Sequence, residues 1–280
     1  NLPEEVKYCV KCTMSNQRPR ITLDEHGVCS ACNFAKFKQT KIDWSEREAE
    51  LMDTLDRFRR NDGRYDVVVP CSGGKDAAYI AHELKHKYGM NPLTVTWAPH
   101  LYTEIGWKNL HEMIRVGDLA NVLGTPPGKT HRLLTKLSFE KIGDPFQPFV
   151  YGQTNFPMQI ALNYDIPLVM YGENGEVEYG GSTETASKPI YDIEYQKRIY
   201  LEGGYEKVLS ASKLDSRSTN FFEYPASGER NSDKIEISHW SYFENWDPYR
   251  NYLVAKEHCG LQEAESSNAG TFTNISQNDQ

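Results

Sequence analysis

Apolar positions recur along this chain in two rhythms. Between residues 44 and 60, Leu51, Met52, Leu55 and Phe58 fall at spacings of one, four and seven, one apolar face of a helix. Ser45 with Glu48 three residues on predicts a capping box at its start, and Asn61-Asp62-Gly63 predicts its stop. Residues 66–70 (DVVVP) form a short continuous apolar run, the pattern of a strand buried on both faces of a parallel sheet. Behind the glycine-rich residues 71–76, Ala77, Ala81, Leu84 and Tyr88 share one helical stripe. Residues 93–97 predict a second strand and 104–123 a mostly helical stretch. Residues 133–142 and 155–164 predict further helices, and 166–171 a third buried strand. Strands that alternate with helices imply βαβ units, hence an α/β fold with a doubly wound, mostly parallel sheet.

The ends of the chain read differently. Residues 1–40 lack either rhythm, and beyond Gly180 the chain grows polar, with loops around short helices expected at 179–187 and 210–220. The run 235–252 is rich in aromatics (Trp240, Tyr242, Phe243, Trp246, Tyr249, Tyr252) and predicts either a core stripe or a sugar-binding platform. The expected organisation is a small ribbon at 1–40, a connecting helix at 41–62, an α/β domain at 63–235 and an aromatic segment at 236–280. That last segment is expected to continue past Gln280.

Composition narrows the partners. The 280 residues suffice for one large domain and a small accessory unit. With 31 basic and 39 acidic side chains the net charge is −8, which disfavours nucleic acid. No apolar run is long enough to span a membrane, and the polar residues 1–8 do not resemble a signal peptide, so a cytoplasmic location is expected.

Four of the six cysteines form Cys9-x2-Cys12-x16-Cys29-x2-Cys32. Two such pairs can close a tetrahedral thiolate site, and a closed site is structural; Zn2+ is the expected ion. An iron–sulfur cluster or free thiols are the alternatives. Cys71 and Cys259 read as buried small hydrophobes, and the histidines other than His131 show no metal-ligand spacing.

The second signal is Ser72-Gly73-Gly74-Lys75-Asp76, directly after a strand and opening a helix. There glycines let the backbone approach a phosphate, helix N–H groups face it, and Lys75 adds a positive charge. This segment resembles the PP-loop of the N-type ATP pyrophosphatases, the adenine nucleotide alpha hydrolase-like fold. Its usual motif is SGGxDS; Ala77 stands in place of the final serine, which puts one hydroxyl contact in doubt. Together with the N-terminal cysteines, HRLLTKLSFEKIGDPFQPFVYGQTNFP, IPLVMYGENGE and WSYFENWDPYRNY resemble the N-acetyl sugar amidotransferases of bacterial lipopolysaccharide and other surface-glycan biosynthesis, over most of residues 9–273.

That resemblance implies ATP as co-substrate with Mg2+, adenylation of the amide oxygen of an N-acetyl sugar, and displacement of AMP by ammonia to leave an acetamidino group. The substrate is expected to be a nucleotide-linked diacetamido uronic acid. Lys75, Asp76 and Glu173 are the candidate catalytic residues. Ser72, Gly73, Gly74, Lys75, Asp76, Trp97, Gly172 and Asn174 are candidates for ATP and pyrophosphate, and Glu173 and Glu176 for Mg2+. The alternatives are a first-turn carboxylate for Asp76, a polar turn for the 171–176 segment and a core residue for Trp97. His131, Arg132, Gln153 and Asn155 are candidates for the sugar, against a basic turn for the first two and satisfied backbone for the last two. No glutaminase nucleophile is legible, so ammonia is expected from a glutaminase subunit, with a barrel-type companion to carry it. A tRNA-thiolating enzyme is the nearest rival, though it generally needs a catalytic cysteine pair; a non-catalytic zinc-ribbon scaffold is a second.

Overall fold

The computed structural model describes residues 3–201, 205–224, 234–267 and 272–275. In chain order its elements begin with α1 (Ser30–Lys41), α2 (Trp44–Phe58), β1 (Val67–Cys71), α3 (Lys75–His86), β2 (Pro92–Trp97), α4 (Glu104–Arg115) and β3 (Ala120–Gly124). There follow α5 (Gly128–Ile142), α6 (Gln147–Asn163), β4 (Leu168–Tyr171), α7 (Gly175–Glu178), β5 (Ile190–Tyr191), α8 (Ile193–Tyr200) and α9 (Tyr205–Ser212). The last are α10 (Ser216–Thr219), β6 (Glu236–His239) and α11 (Pro248–Cys259). Among the described residues no helix is long and apolar enough to cross a membrane.

The chain divides into two compact units. The first takes Asn1–Thr54, Tyr171–Tyr191 and Ser238–Trp246; the second takes Leu55–Met170, Asp192–Ile237 and Asp247–Gln280. These limits differ from the boundaries expected at 40, 62 and 235, because the segments after β4 and at the end of β6 group with the ribbon rather than with the sheet.

In the second unit the strand order is β3-β2-β1-β4-β6. β1 runs parallel to β2 (Val67 opposite Pro92) and to β4 (Val67 opposite Leu168), and β2 runs parallel to β3. Val67, Val68 and Val69 are buried because helices cover both faces, which is why the run shows no alternation. The chain moves one way through β2 and β3 and returns to β4 on the other side of β1. The strand order therefore reverses at β1, the place where open α/β sheets bind ligands at their carboxyl edge. α6 packs across β1 and β2. In the first unit, β5 lies beside the end of β6, with the Tyr191 hydroxyl 3.1 Å from His239 Nδ1.

Several elements depart from the expectations, each for a local reason. The helix expected over 104–123 stops at Arg115, and β3 follows. Asp118 has φ of 50°, a conformation that ends a helix, and β3 is a half-buried edge strand that needs no apolar run. Its Asn121 amide donates instead to the Thr94 and Thr96 hydroxyls at 2.9 Å each. α1 buries no residue, so no periodicity announces it; Cys29 caps it, its sulfur accepting the Cys32 N–H. α2 is capped by Asp43, whose Oδ1 accepts the Ser45 and Glu46 N–H groups, rather than by the expected Ser45–Glu48 box. In the aromatic run Trp240 and Phe243 are each 1% exposed, so they belong to the core rather than to a platform.

α6 approaches the sheet closely at Gly152, where a Cβ would lie 1.9 Å from Trp97 Cε2. Gly152→Ala is expected to lower stability by about 3 kcal/mol or more through overpacking. Gly128→Ala, where a Cβ meets nothing within 4 Å, should be nearly silent. Urea unfolding of the two variants checks this.

Candidate active site and metal centre

In the second unit, β1 ends at Cys71 and α3 begins at Lys75 with Gly74 as its N-cap. No side chain caps that helix end. Its first N–H groups therefore present the positive end of the helix dipole at the carboxyl edge of the sheet. Gly73 has φ of 86°, and a Cβ there would stand 2.6 Å from the Leu110 Cα, so α4 and the backbone twist both require glycine. Ser72 is exposed. Lys75 Nζ lies 2.7 Å from Asp76 Oδ2, and Asn251 on α11 donates to Asp76 Oδ1 at 3.0 Å. The Asp76 carboxylate is thus held from both sides and in turn aims Lys75. A turn of glycines, an open helix end and a held lysine can grip a polyphosphate.

The other candidate residues of this unit separate into three groups. Trp97 is buried, with Phe156 and Phe222 rings 5.7 and 5.5 Å away, so it has no free face for a base. Asn155 is fully buried and its amide donates to the Phe222 carbonyl, so it serves the fold and not a sugar. His131 is buried at the start of α5, stacked on His100 at 4.4 Å, and its Nε2 has no hydrogen-bond partner among the described residues. Such an atom must be satisfied by water or ligand. Burial, then the neighbouring His100, holds His131 down to about 4. Arg132 and Gln153 are exposed on α5 and α6.

In the first unit the four cysteines converge. Their sulfurs all lie within 4.8 Å of one another, with Cys9 to Cys32 at 4.0 Å and Cys12 to Cys29 at 3.7 Å. One ion with sulfur ligands at about 2.3 Å in tetrahedral array sets the sulfurs about 3.8 Å apart. A four-iron cluster takes one cysteine per iron and would spread them wider. Cys9 Sγ also accepts the N–H groups of Cys29 (3.2 Å) and Lys11 (3.3 Å). Burial raises the Cys9 thiol, yet the backbone donors outweigh it and bring it down to about 6. Burial and its sister thiols push Cys32 up to about 12. Four thiolates so close coexist only around a cation, so the residues fit a single metal ion.

The same ribbon grips the segment that follows β4. Arg20 meets Glu176 with Nε to Oε2 at 2.9 Å and Nη2 to Oε1 at 2.8 Å. Glu176 Oε2 also accepts the Ser182 N–H at 2.7 Å. Ser30 donates to the Gly180 carbonyl, Arg18 to the Gly175 carbonyl, and Lys38 pairs with Glu178. Glu176 is therefore an ion-pair partner with both oxygens in use, not a magnesium ligand. Asn174 caps α7, accepting the Glu176 and Val177 N–H groups and donating to Thr185 at 2.9 Å, so its side chain is spent inside the loop rather than on ATP. The Gly172 carbonyl accepts the Ser241 N–H at 3.1 Å, and the Ser241 hydroxyl accepts the Asn174 N–H at 3.0 Å. Glu173 accepts the Tyr179 hydroxyl at 2.7 Å and is half-buried. Arg20, Lys38, Asn251 and Ser241 were not legible as site residues, because a single basic, amide or hydroxyl side chain carries no spacing signal.

No protein-family model matches the chain, and the curated proteins contain no match to it. Among solved structures it is similar to the U34-tRNA thiolase NcsA of Methanococcus maripaludis with its [4Fe-4S] cluster (14% identity, 96% of this chain and 76% of that one, TM-score 0.40). It is also similar to the NH3-dependent NAD synthetase of Campylobacter jejuni in complex with nitrate (14% identity, 66% and 99% covered, TM-score 0.37). A third is the NMN synthetase of Francisella tularensis (14% identity, 80% and 90% covered, TM-score 0.37). At these scores the likeness carries no argument about activity; the α/β class rests on the strand order and register.

Two outcomes are expected. Arg20→Ala leaves the Glu176 carboxylate buried without its partner and should cost about 2–3 kcal/mol, read by thermal unfolding and by faster amide exchange across 174–182. His131 titrates near 6.5 when unfolded and about 4 when folded. Its contribution is present above pH 6.5 and is lost as pH falls toward 4, because only the unfolded chain then takes up the proton. His131→Phe should flatten that limb of the stability profile, measured by urea unfolding at successive pH values.

Proposed function

We propose that this chain is an ATP-dependent amidotransferase of N-acetyl sugars. In this reading the amide oxygen attacks the α-phosphorus of ATP and pyrophosphate leaves. Ammonia then adds to the activated carbon, AMP departs, and an acetamidino group remains. The observation that carries the reading is the open N-terminus of α3 behind Gly73 and Gly74 at the tip of β1. Ser72, Gly73, Gly74 and Lys75 hold the departing pyrophosphate, and Asp76 keeps Lys75 aimed. Glu173 is the carboxylate assigned to Mg2+. His131, with its unsatisfied buried Nε2, and the exposed Arg132 and Gln153 are assigned to the sugar.

The cysteine quartet takes Zn2+ in a structural role, in keeping with its closed set of four ligands. The substrate class is a nucleotide-linked diacetamido uronic acid of surface-glycan synthesis, which places the enzyme in the cytoplasm. Ammonia comes from a glutaminase subunit, with or without a barrel-type companion. The thiolase reading draws no support from the two remaining cysteines. Burial raises Cys259 to about 11 and also raises Cys71, so neither is a ready sulfur nucleophile.

Incubation with ATP, Mg2+, ammonium and diacetamido sugar nucleotides should release AMP and pyrophosphate in step with a product in which NH replaces O. Lys75→Ala should lower that rate at least about 100-fold while the fold is kept. Release of ADP, or turnover independent of the sugar, would contradict the reading.

A further inference from the structure

α3 and α11 lie side by side in the second unit. At one end of the pair Asn251 holds Asp76. At the other end three histidines meet. His82 and His86 are four residues apart on α3, hence on one face, with ring centroids 4.6 Å apart. His258, near the end of α11, stacks on His82 at 4.5 Å with the planes 10° apart. Contrary to the expectation from sequence that these histidines lack metal-ligand spacing, His82-x3-His86 is the helical pattern that offers two imidazoles to one ion. Folding supplies the third ligand from a distant part of the sequence.

We propose that His82, His86 and His258 form a second metal site, taking one divalent ion of the zinc class. Imidazole suits zinc, nickel and copper, and three neutral rings with a water in the fourth position make an open tetrahedral site. His86 and His258 are exposed, so an ion has access. A metal binds the neutral imidazole, the common form of histidine above its ordinary titration range. The charged neighbours permit it. On α3, Lys85 is paired with Asp118, and on α11, Lys256 is paired with Glu263; the Glu257 carboxylate lies 3.9 Å from His258 Nε2. The rings stand stacked and their nitrogens do not all lie within 4.8 Å of one another, so binding requires the side chains to turn, about χ2 above all, a broad torsion for histidine. An ion there ties the ends of the two helices whose other ends set Asp76 beside the glycine loop.

The test uses the untagged full chain with its quartet already loaded with one equivalent of Zn2+. Zn2+ titration followed by native mass spectrometry and calorimetry should show a second equivalent in the wild type, with a rise in melting temperature. His82→Gln/His258→Gln, and the exposed His258→Gln alone, should weaken that second equivalent at least tenfold and leave the first unchanged. A wild-type stoichiometry of one, or a second ion held as tightly by both variants, would overturn the site. The quartet count reports independently that each variant is folded.

Discussion

The nucleotide chemistry proposed for this chain depends on how a parallel strand ends. β1 is buried on both faces, so its polar backbone can meet a ligand only at its tip. There the chain must reverse into α3 without a capping side chain and with Gly73 pressed against the α4 backbone. A larger residue would push α4 away, and a capping side chain would occupy the N–H groups. The constraint leaves the positive end of a helix facing the sheet edge, and Lys75 adds a full charge, steadied by Asp76 and Asn251. An anion is what this arrangement stabilises.

The first unit rests on a different constraint. Residues 3–41 bury little apolar surface, with a small cluster of Cys9, Val28 and Cys29 at its centre. Four converging thiols supply what a hydrophobic core would otherwise provide, once an ion joins them. From that ribbon Arg18, Arg20, Ser30 and Lys38 reach the segment after β4. Charge pairs and carbonyl contacts therefore help to order the loop that carries Glu173, beside the buried Val177. Because Glu176 and Lys38 are little exposed, removal of either partner would leave a charge buried and uncompensated.

How much of this was legible follows from the kind of signal each residue leaves. β1, β2, β4 and the glycine turn were legible, since buried strands and glycine clusters are local patterns. The cysteine quartet was legible from spacing, and its convergence agrees. β3 and α1 were not, because an edge strand and a helix without a buried face have no periodicity to show. Trp97 is drawn to the site by its place at the end of a strand and Asn155 by residue type, and burial returns both to the core. Glu176 and Asn174 were drawn there by their place after a strand, and their partners Arg20 and Thr185 lie beyond any local window. The histidine cluster likewise joins α3 to α11 only through tertiary packing.

The central claim is that the β1 tip and the α3 N-terminus bind the pyrophosphate end of a nucleotide. Backbone amide resonances followed during titration with magnesium pyrophosphate test it most directly. The account predicts that the Gly73, Gly74 and Lys75 amides move first and farthest, and that adenine-bearing ligands shift the same set. Saturable binding that leaves those three amides unmoved, or no binding at all, would contradict it.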